Sequence, residues 1–403
     1  MKDTQSLHLA FVYHVPFWEE EGQIWTTYSP IGRYVDSLAP YFGKITLVTP
    51  KRSVHNKPLY KMKAQNLSLY PVRSHPNIQS YYFHLLHFYF SFFKAMREWD
   101  LINVRMPTLT GFPAYVVSRF YRKPVFLVVV GVNFNFNTYS NYSRIKKRFA
   151  GIVARIQDSL MKKMIRHSIT FTNGEDLFEK YRSYNKCVYL MRSSTISEVD
   201  LLPVYRDTCN NKPYKILTVA TVAPHKGTSL IPEIISILNQ HGVYVTWDYI
   251  GYIDGNAGEQ ELQKTLNLAA DLGVSSQIKF HEAVGFDDLM PIYQSSDIFV
   301  LPTYMEGIPR VILEAQASGL PVITTSVGGI PKAINHGVDG LLTSPGNPSE
   351  IALSILKVIQ DPILRHDLIR NGLEIAKQFT LESETKRMLK KVGDFIFTDN
   401  DCN

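Results

Sequence analysis

Two glutamates, Glu306 and Glu314, lie eight positions apart in the stretch LPTYMEGIPRVILEAQASGLPVITTSVGGIPKAI, residues 301–334. A carboxylate only accepts hydrogen bonds, so two of them at different depths in one cleft can hold vicinal hydroxyls. Taken without their flanks, two glutamates at this spacing are more often solvated. Between them, Gly307, Ile308 and the residues after Pro309 offer unpaired N–H groups at a helix start, where the dipole favours an anion. Arg310 in that first turn opposes the dipole and forfeits roughly 0.3–1 kcal/mol unless something negative is bound. A phosphate removes the conflict, and so does an arginine that bends into solvent or pairs with a carboxylate.

The elements that must position these groups are written around them. IFVLP reads as a buried strand, Pro309 as the first residue of a helix, Gly319 as the residue just past its end and Pro321 as the opening of the next strand. The loop with Glu306 then lies beyond the carboxyl end of a parallel strand, where open α/β sheets bind ligands. The same alternation of short β-branched or aromatic runs with helical patterns fills both halves of the chain. It predicts strands over 7–14, 44–49, 101–106, 124–130, 168–172 and 187–191, then over 214–220, 245–250, 277–281, 298–302 and 321–325. Helices are expected near 230–241, 259–272 and 309–318. The fold class is therefore α/β, with one parallel sheet in each half. The polar stretch 193–213, with Pro203 and Pro213, reads as the linker. The segment TLESETKRMLKKVGDFIF reads as a helix capped by Thr380 that can cross back to the first domain. This gives domains over 1–200 and 201–379 and a final helix in 380–403.

Composition narrows the classes. With 403 residues, 45% apolar and 20% charged, the chain is neither disordered nor a small stapled scaffold. Cys187, Cys209 and Cys402 are odd in number and widely spaced, so no disulfide framework or zinc cluster is expected and a reducing compartment is the default. The N-terminus reads as a first strand and not as an export signal, and no apolar run is long enough to span a membrane. The net charge of +7 is uneven: residues 1–200 carry 27 basic against 13 acidic side chains, residues 201–403 carry 16 against 23. Such a basic half suits an anionic lipid surface, an acidic substrate or nucleic acid. The absence of a glycine fingerprint after strand one argues against nicotinamide chemistry, and no DxD cluster stands in the body of the chain.

EGIPRVILEAQASGLPVITTSVGG closely resembles the Glu-x7-Glu signature of family 4 retaining glycosyltransferases, and VATVAPHKGTSLIPEII, 219–235, resembles that family's diphosphate-binding segment. DYIGYIDGN and IKFHEAVGFDDLMPIYQSSDIFVLPT resemble the run leading to the signature, so the likeness covers 214–345. It implies the GT-B architecture of two facing Rossmann-like domains. It further implies that Glu306 holds the donor hexose, Glu314 grips the ribose hydroxyls, Lys226 lies on the diphosphate and the backbone at Ala283 and Val284 edges the base. The arginine that commonly precedes the lysine by five residues is Thr221 here, which makes Arg310 the candidate second cation. On the acceptor side, Gly22 stands for the glycine loop after strand one, and Gly131 and Asn133 follow the fifth-strand position. No metal and no cofactor is implied; the donor is a nucleotide-diphosphate sugar such as a UDP- or GDP-hexose.

Residues 144–167 predict a helix with Ile145, Phe149, Ile152, Ile156, Leu160 and Met164 as a stripe on the first sheet and basic flanks outside, suited to an anionic membrane surface. The aromatic segment 81–93 reads as core or as a lipid-facing groove. Beside these helices, the resemblance implies a cytoplasmic, peripherally membrane-associated transferase of a hexosyl unit to a growing, lipid-linked cell-surface glycan, and its EGIPRVILEA stretch implies the polysaccharide, capsule or lipopolysaccharide type. A nucleotide-sugar-binding scaffold without useful turnover is the alternative, motivated by Thr221 and Asn133. A nucleic-acid-binding protein is the third reading, and the clustering of the aromatics away from the basic residues counts against it.

Overall fold

The computed structural model describes residues 4–50, 60–73, 85–131, 144–202 and 205–397, with the side chains of 85, 144–154 and 397 outside the description. The chain divides into two compact units, residues 1–193 with 384–403, and residues 194–383. The first division thus falls at 193/194, a few residues before the 200/201 boundary taken from composition, because Ser194, Thr195 and Ile196 already pack with the second unit.

The first unit is built on a seven-stranded parallel sheet. Its strands are β1 (His8–Val12), β4 (Lys44–Pro50), β6 (Leu67–Val72), β7 (Leu101–Met106), β8 (Val125–Val129), β9 (Ile169–Asn173) and β10 (Val188–Met191), in the order β10-β9-β8-β7-β1-β4-β6. Every residue of β7 and β8 is buried, the mark of a strand covered on both faces; β8 accordingly reads as a continuous apolar run, while β7 also carries Asn103 and Arg105. Alternate residues divide between the faces. Ala10, Val12, Ile102 and Val104 meet Phe88 and Phe92 of helix α2 (Leu85–Ala95), Ala114 and Val117 of α3 (Gly111–Phe120), and Met161 and Ile165 of α4 (Arg144–Arg166). Phe11 points the other way, to Tyr34 of α1 (Ser29–Leu38), ring centroids 6.2 Å apart. The Tyr34 hydroxyl lies 3.4 Å from the sulfur of Met388, and Ser37 bonds Thr385 at 2.8 Å, so the final helix (Leu381–Phe397) is tied into this unit from Glu384 onward.

Three sequence expectations are corrected here. Gly22 belongs to no glycine loop on the sheet: it forms the two-residue turn of a hairpin between β2 (Phe17–Glu20) and β3 (Gln23–Thr26), with Glu21 and Gly22 at φ 53° and 71°. Two positive φ values match the right-handed twist of the flanking strands, which explains the glycine without a ligand. That hairpin joins β5 (Tyr60–Lys61) in a separate three-stranded antiparallel sheet. Second, the buried stripe of α4 runs through Gln157, Met161, Met164 and Ile165, while Ile156 and Leu160 are 51% and 42% exposed. One residue rotates a helix by about 100°, and the sheet takes the line whose Met161 and Ile165 reach the core around Leu127 and Tyr181. Third, Cys187, read as unpaired, is disulfide-bonded; Cys209 is free. In α2, Phe88 and Phe92 are fully buried whereas Leu86 and Phe90 are 72% and 73% exposed, so the aromatic helix is core on one side only.

The second unit carries a six-stranded parallel sheet, β13-β12-β11-β14-β15-β16. Its strands are β11 (Tyr214–Val219), β12 (Val245–Ile250), β13 (Ile278–His281), β14 (Ile298–Leu301), β15 (Val322–Thr325) and β16 (Leu341–Thr343). In both units, chain order reverses at one point, between β11 and β14 here and between β1 and β7 in the first unit. Loops leaving the carboxyl ends of two such strands diverge to opposite faces and open a crevice. No helix among the described residues is long and apolar enough to cross a membrane.

Candidate functional site

The crevice of the second unit is bounded by the loop after β11, residues 220–230, and the loop after β14, residues 302–309. Glycines bring their backbones together. Gly227 holds φ 69°, and a Cβ there would stand 1.9 Å from the Pro302 carbonyl oxygen. The His225 carbonyl accepts both the Tyr304 N–H at 2.8 Å and the Thr303 hydroxyl at 2.9 Å. A Cβ on Gly251, just after β12, would stand 1.8 Å from the Ala220 oxygen, and one on Gly328, at φ 52°, 1.8 Å from the Glu306 oxygen. Four loops are thereby locked to one another at distances that only glycine permits. The spacing argument passed over Gly251 and Gly328; their signal was a glycine directly after a strand and a glycine pair closing the 301–334 stretch.

On this frame Lys226 and Glu306 form a direct ion pair, their side chains 14% and 18% exposed. The helix that follows, α9 (Arg310–Ala317), has Pro309 as its N-cap instead of its first residue, at φ −74° and ψ 128°, with Arg310 opening the first turn and no acid in that turn. Gly307 is exposed, and space for a Cβ is open around it. One turn further in, Glu314 is 5% exposed and accepts the Tyr293 hydroxyl at 3.0 Å and the Thr195 hydroxyl at 2.5 Å. Burial and the adjoining carboxylate push the Tyr293 phenol well up, so it stays a donor. A buried carboxylate with two hydroxyl donors keeps lone pairs for a further donor.

A cavity of about 390 Å³ opens beside these loops, lined among others by Gly251, Tyr252, Phe280, His281 and Ala283. Its apolar walls and the backbone of 281–283 suit a flat heterocycle. His281 Nε2 lies 2.7 Å from Asp248 Oδ1 at the rim. Val284 is 42% exposed next to it. The Thr221 carbonyl accepts the Tyr249 hydroxyl at 3.0 Å, so Thr221 contributes backbone and no charge.

The structure pairs Lys226 with Glu306 and carries Gly307, Ile308, Arg310 and Glu314 on the loop and helix that follow, with Thr221 on the loop of Lys226 and Ala283 at the cavity. Gly131 lies in the first unit just after β8, and Asn133 lies outside the described residues. Among the described residues no three His, Cys, Asp or Glu side chains group as a metal site.

Comparison with known proteins meets this geometry. Residues 207–374 match the family model of glycosyl transferases group 1. A D-inositol 3-phosphate glycosyltransferase of Salinispora tropica is 27% identical over 186 residues, 45% of this chain and 39% of that protein. The chain thus spans about two fifths of the curated relative it matches. Over whole chains, HepE of Anabaena in complex with UDP superposes with TM-score 0.67 at 15% identity, covering 96% of this chain and 100% of that one. Sucrose-phosphate synthase from Thermosynechococcus elongatus superposes with TM-score 0.69 at 16% identity, covering 98% and 100%. Most of the second unit therefore matches the glycosyl transferases group 1 family, and the chain as a whole has the GT-B fold.

Proposed function

We propose that this chain is a retaining glycosyltransferase that moves a hexosyl unit from a nucleotide-diphosphate sugar to a growing, lipid-linked cell-surface glycan. The observation that carries the donor half is the joining of Lys226, Glu306 and the α9 N-terminus with buried Glu314 and the cavity beside Ala283. Glu314 accepts the ribose hydroxyls, the cavity takes the base, and Lys226 leaves its pair with Glu306 to meet the diphosphate. Glu306 is then free to hold the hexose. The bond from the anomeric carbon to the diphosphate oxygen breaks, a bond to the acceptor oxygen forms on the same face, and the departing phosphate takes the acceptor proton. A fixed ammonium and helix N–H groups stabilise the charge that develops on the leaving group. Arg310 supplies the second cation in place of the arginine absent at Thr221.

A solved neighbour of the same fold, determined in complex with UDP, supports a uridine nucleotide. For the acceptor, the support lies in the first unit. Arg155, Lys163 and Arg166 are exposed on α4 beside the outward Ile156 and Leu160, a combination suited to an anionic membrane interface. The chain on this reading works at the inner face of the membrane.

The test is a panel of nucleotide sugars scored by thermal shift and by release of nucleotide, with a membrane extract as acceptor. Stabilisation by one donor, with extract-dependent release lost in Glu306→Ala, is the expected result. Binding without release favours the silent scaffold, and no binding overturns the donor reading. Arg310→Ala should cut transfer strongly and Arg310→Lys recover part; an unaffected alanine variant removes Arg310 from the mechanism.

A further inference from the structure

The crevice of the first unit, between β1 and β7, holds a charge that its surroundings leave unanswered. Arg105 is the fifth residue of β7 and Tyr13 follows the last residue of β1, so both stand where the strand order reverses. Arg105 alternates with Val104 and Met106, which belong to the α2 and α3 side, and so lies on the side of Phe11 and α1. Its guanidinium carbon stands 5.0 Å from the Tyr34 ring centroid and 5.7 Å from that of Tyr13. The residue is 9% exposed, and its Nη1 is enclosed without a hydrogen-bond partner. No ion pair of Arg105 forms among the described residues. Of the stretches of the first unit outside the description, the internal ones, 51–59, 74–84 and 132–143, contain no Asp or Glu, and the terminal ones, 1–3 and 398–403, contain Asp3, Asp399 and Asp401.

A buried guanidinium carries five donors and cannot lose its proton. Two tyrosine rings attract it through their faces, which offsets part of its lost hydration and satisfies none of its N–H groups. Arginine costs the fold stability at such a place unless an anion completes it. The position adds direction, because a ligand enters an open α/β sheet at the switch point and beyond the carboxyl ends. Residues 1–193 of the first unit carry 27 Lys and Arg against 11 Asp and Glu, and so draw anions towards it.

We propose that Arg105, flanked by Tyr13 and Tyr34, is the phosphate-binding residue of the first unit and holds a phosphate group of the acceptor. That the phosphate belongs to an acceptor rests on the transferase reading above; that Arg105 binds phosphate does not. A guanidinium presents paired donors matched to two oxygens of a phosphate. The rings hold its plane while the remaining edge receives the anion.

The experiment uses the full chain. Inorganic phosphate is titrated with UDP and GDP present to fill the second unit, and without them, following the melting temperature against acetate at equal ionic strength. Phosphate should stabilise the wild type, with apparent affinity falling roughly tenfold or more in Arg105→Gln and less in Arg105→Lys. In phosphate-free buffer Arg105→Met should be at least as stable as the wild type, since it removes an unanswered buried charge. Equal phosphate response in wild type and Arg105→Gln overturns the site, and so does a clear loss of stability in Arg105→Met, which marks a purely structural arginine. Failure of the nucleotides to stabilise strikes the donor reading alone, because the phosphate titration is read independently. Under turnover, phosphate should compete with the acceptor extract and not with the donor; no competition removes the acceptor assignment and leaves a site for free phosphate.

Discussion

The two units share a strand order and differ in what they place at its point of reversal. In the second unit Lys226 is answered by Glu306, and Glu314 by the hydroxyls of Tyr293 and Thr195. In the first unit Arg105 is answered only by aromatic faces. The second crevice is framed by glycines at backbone contact, whereas the first unit adds a small antiparallel sheet in which Trp18 pairs with Trp25 and Thr26 with Tyr60. A rigid crevice with internal partners is ready to exchange those partners for a ligand of fixed shape. A crevice with one unanswered cation selects by charge.

The largest effect that would break this contrast is at the Lys226–Glu306 pair. Glu306→Ala is expected to lower kcat by roughly 10²–10³-fold while leaving nucleotide binding within a few fold, measured by nucleotide release and by calorimetry. A variant with near-normal turnover would mean that the pair is only structural. Gly328→Ala tests the frame and not the charge. Its Cβ would meet the Glu306 oxygen at a backbone φ of 52°, so a cost of about 1–3 kcal/mol should appear in the denaturation midpoint, with donor affinity falling alongside. Unchanged stability would show that the loops are not locked together.

Tyr293→Phe sharpens the contrast more gently. It removes one donor from buried Glu314, and nucleotide affinity should shift by about 1–1.5 kcal/mol, near tenfold, with kcat kept. A loss confined to kcat would place Glu314 nearer the chemistry than the ribose. The smallest effect concerns Glu384, where the final helix enters the first unit. Burial pushes its carboxyl up, against the pull of Arg387 and of Arg192, whose N–H it accepts at 3.2 Å. A raised folded-state value means that the folded chain binds this proton more tightly than the unfolded chain. The penalty is therefore full above the folded value and fades as pH falls through it towards the unfolded one. Glu384→Gln should gain up to a few degrees in melting temperature at neutral pH and lose that gain in acid. A gain independent of pH would point to packing.

Much of the architecture was legible in the residues. Strands 101–106 and 245–250 coincide with β7 and β12, because short runs rich in β-branched, aliphatic and aromatic residues between turn residues read as strands even where β7 carries Asn103 and Arg105 and β12 carries Asp248. Hairpin β2–β3 was hidden by FWEEEGQIWTT, whose three glutamates break any apolar period, and only the positive φ of Glu21 and Gly22 identifies its turn. The rotation of α4 was equally hidden, since Ile156, Leu160 and Met164 make as good a stripe as Gln157, Met161 and Ile165 until a sheet selects one.

The sequence alone determined the α/β class, the two parallel-sheet units and the placing of Glu306, Arg310 and Glu314 on one strand–loop–helix segment, because strand, loop, helix start and helix end are all written in that one run of residues. Tertiary structure decided which groups answer each other. The pairing of Lys226 with Glu306 spans 80 positions, and that of Thr195 with Glu314 spans 119. Arg105 shows the same division: in the sequence it is one basic residue among many in that half, and only the stacking of β1, β7 and α1 removes its water while supplying two rings and no carboxylate. Desolvation is a property of what surrounds a group in space, and no local spacing encodes it.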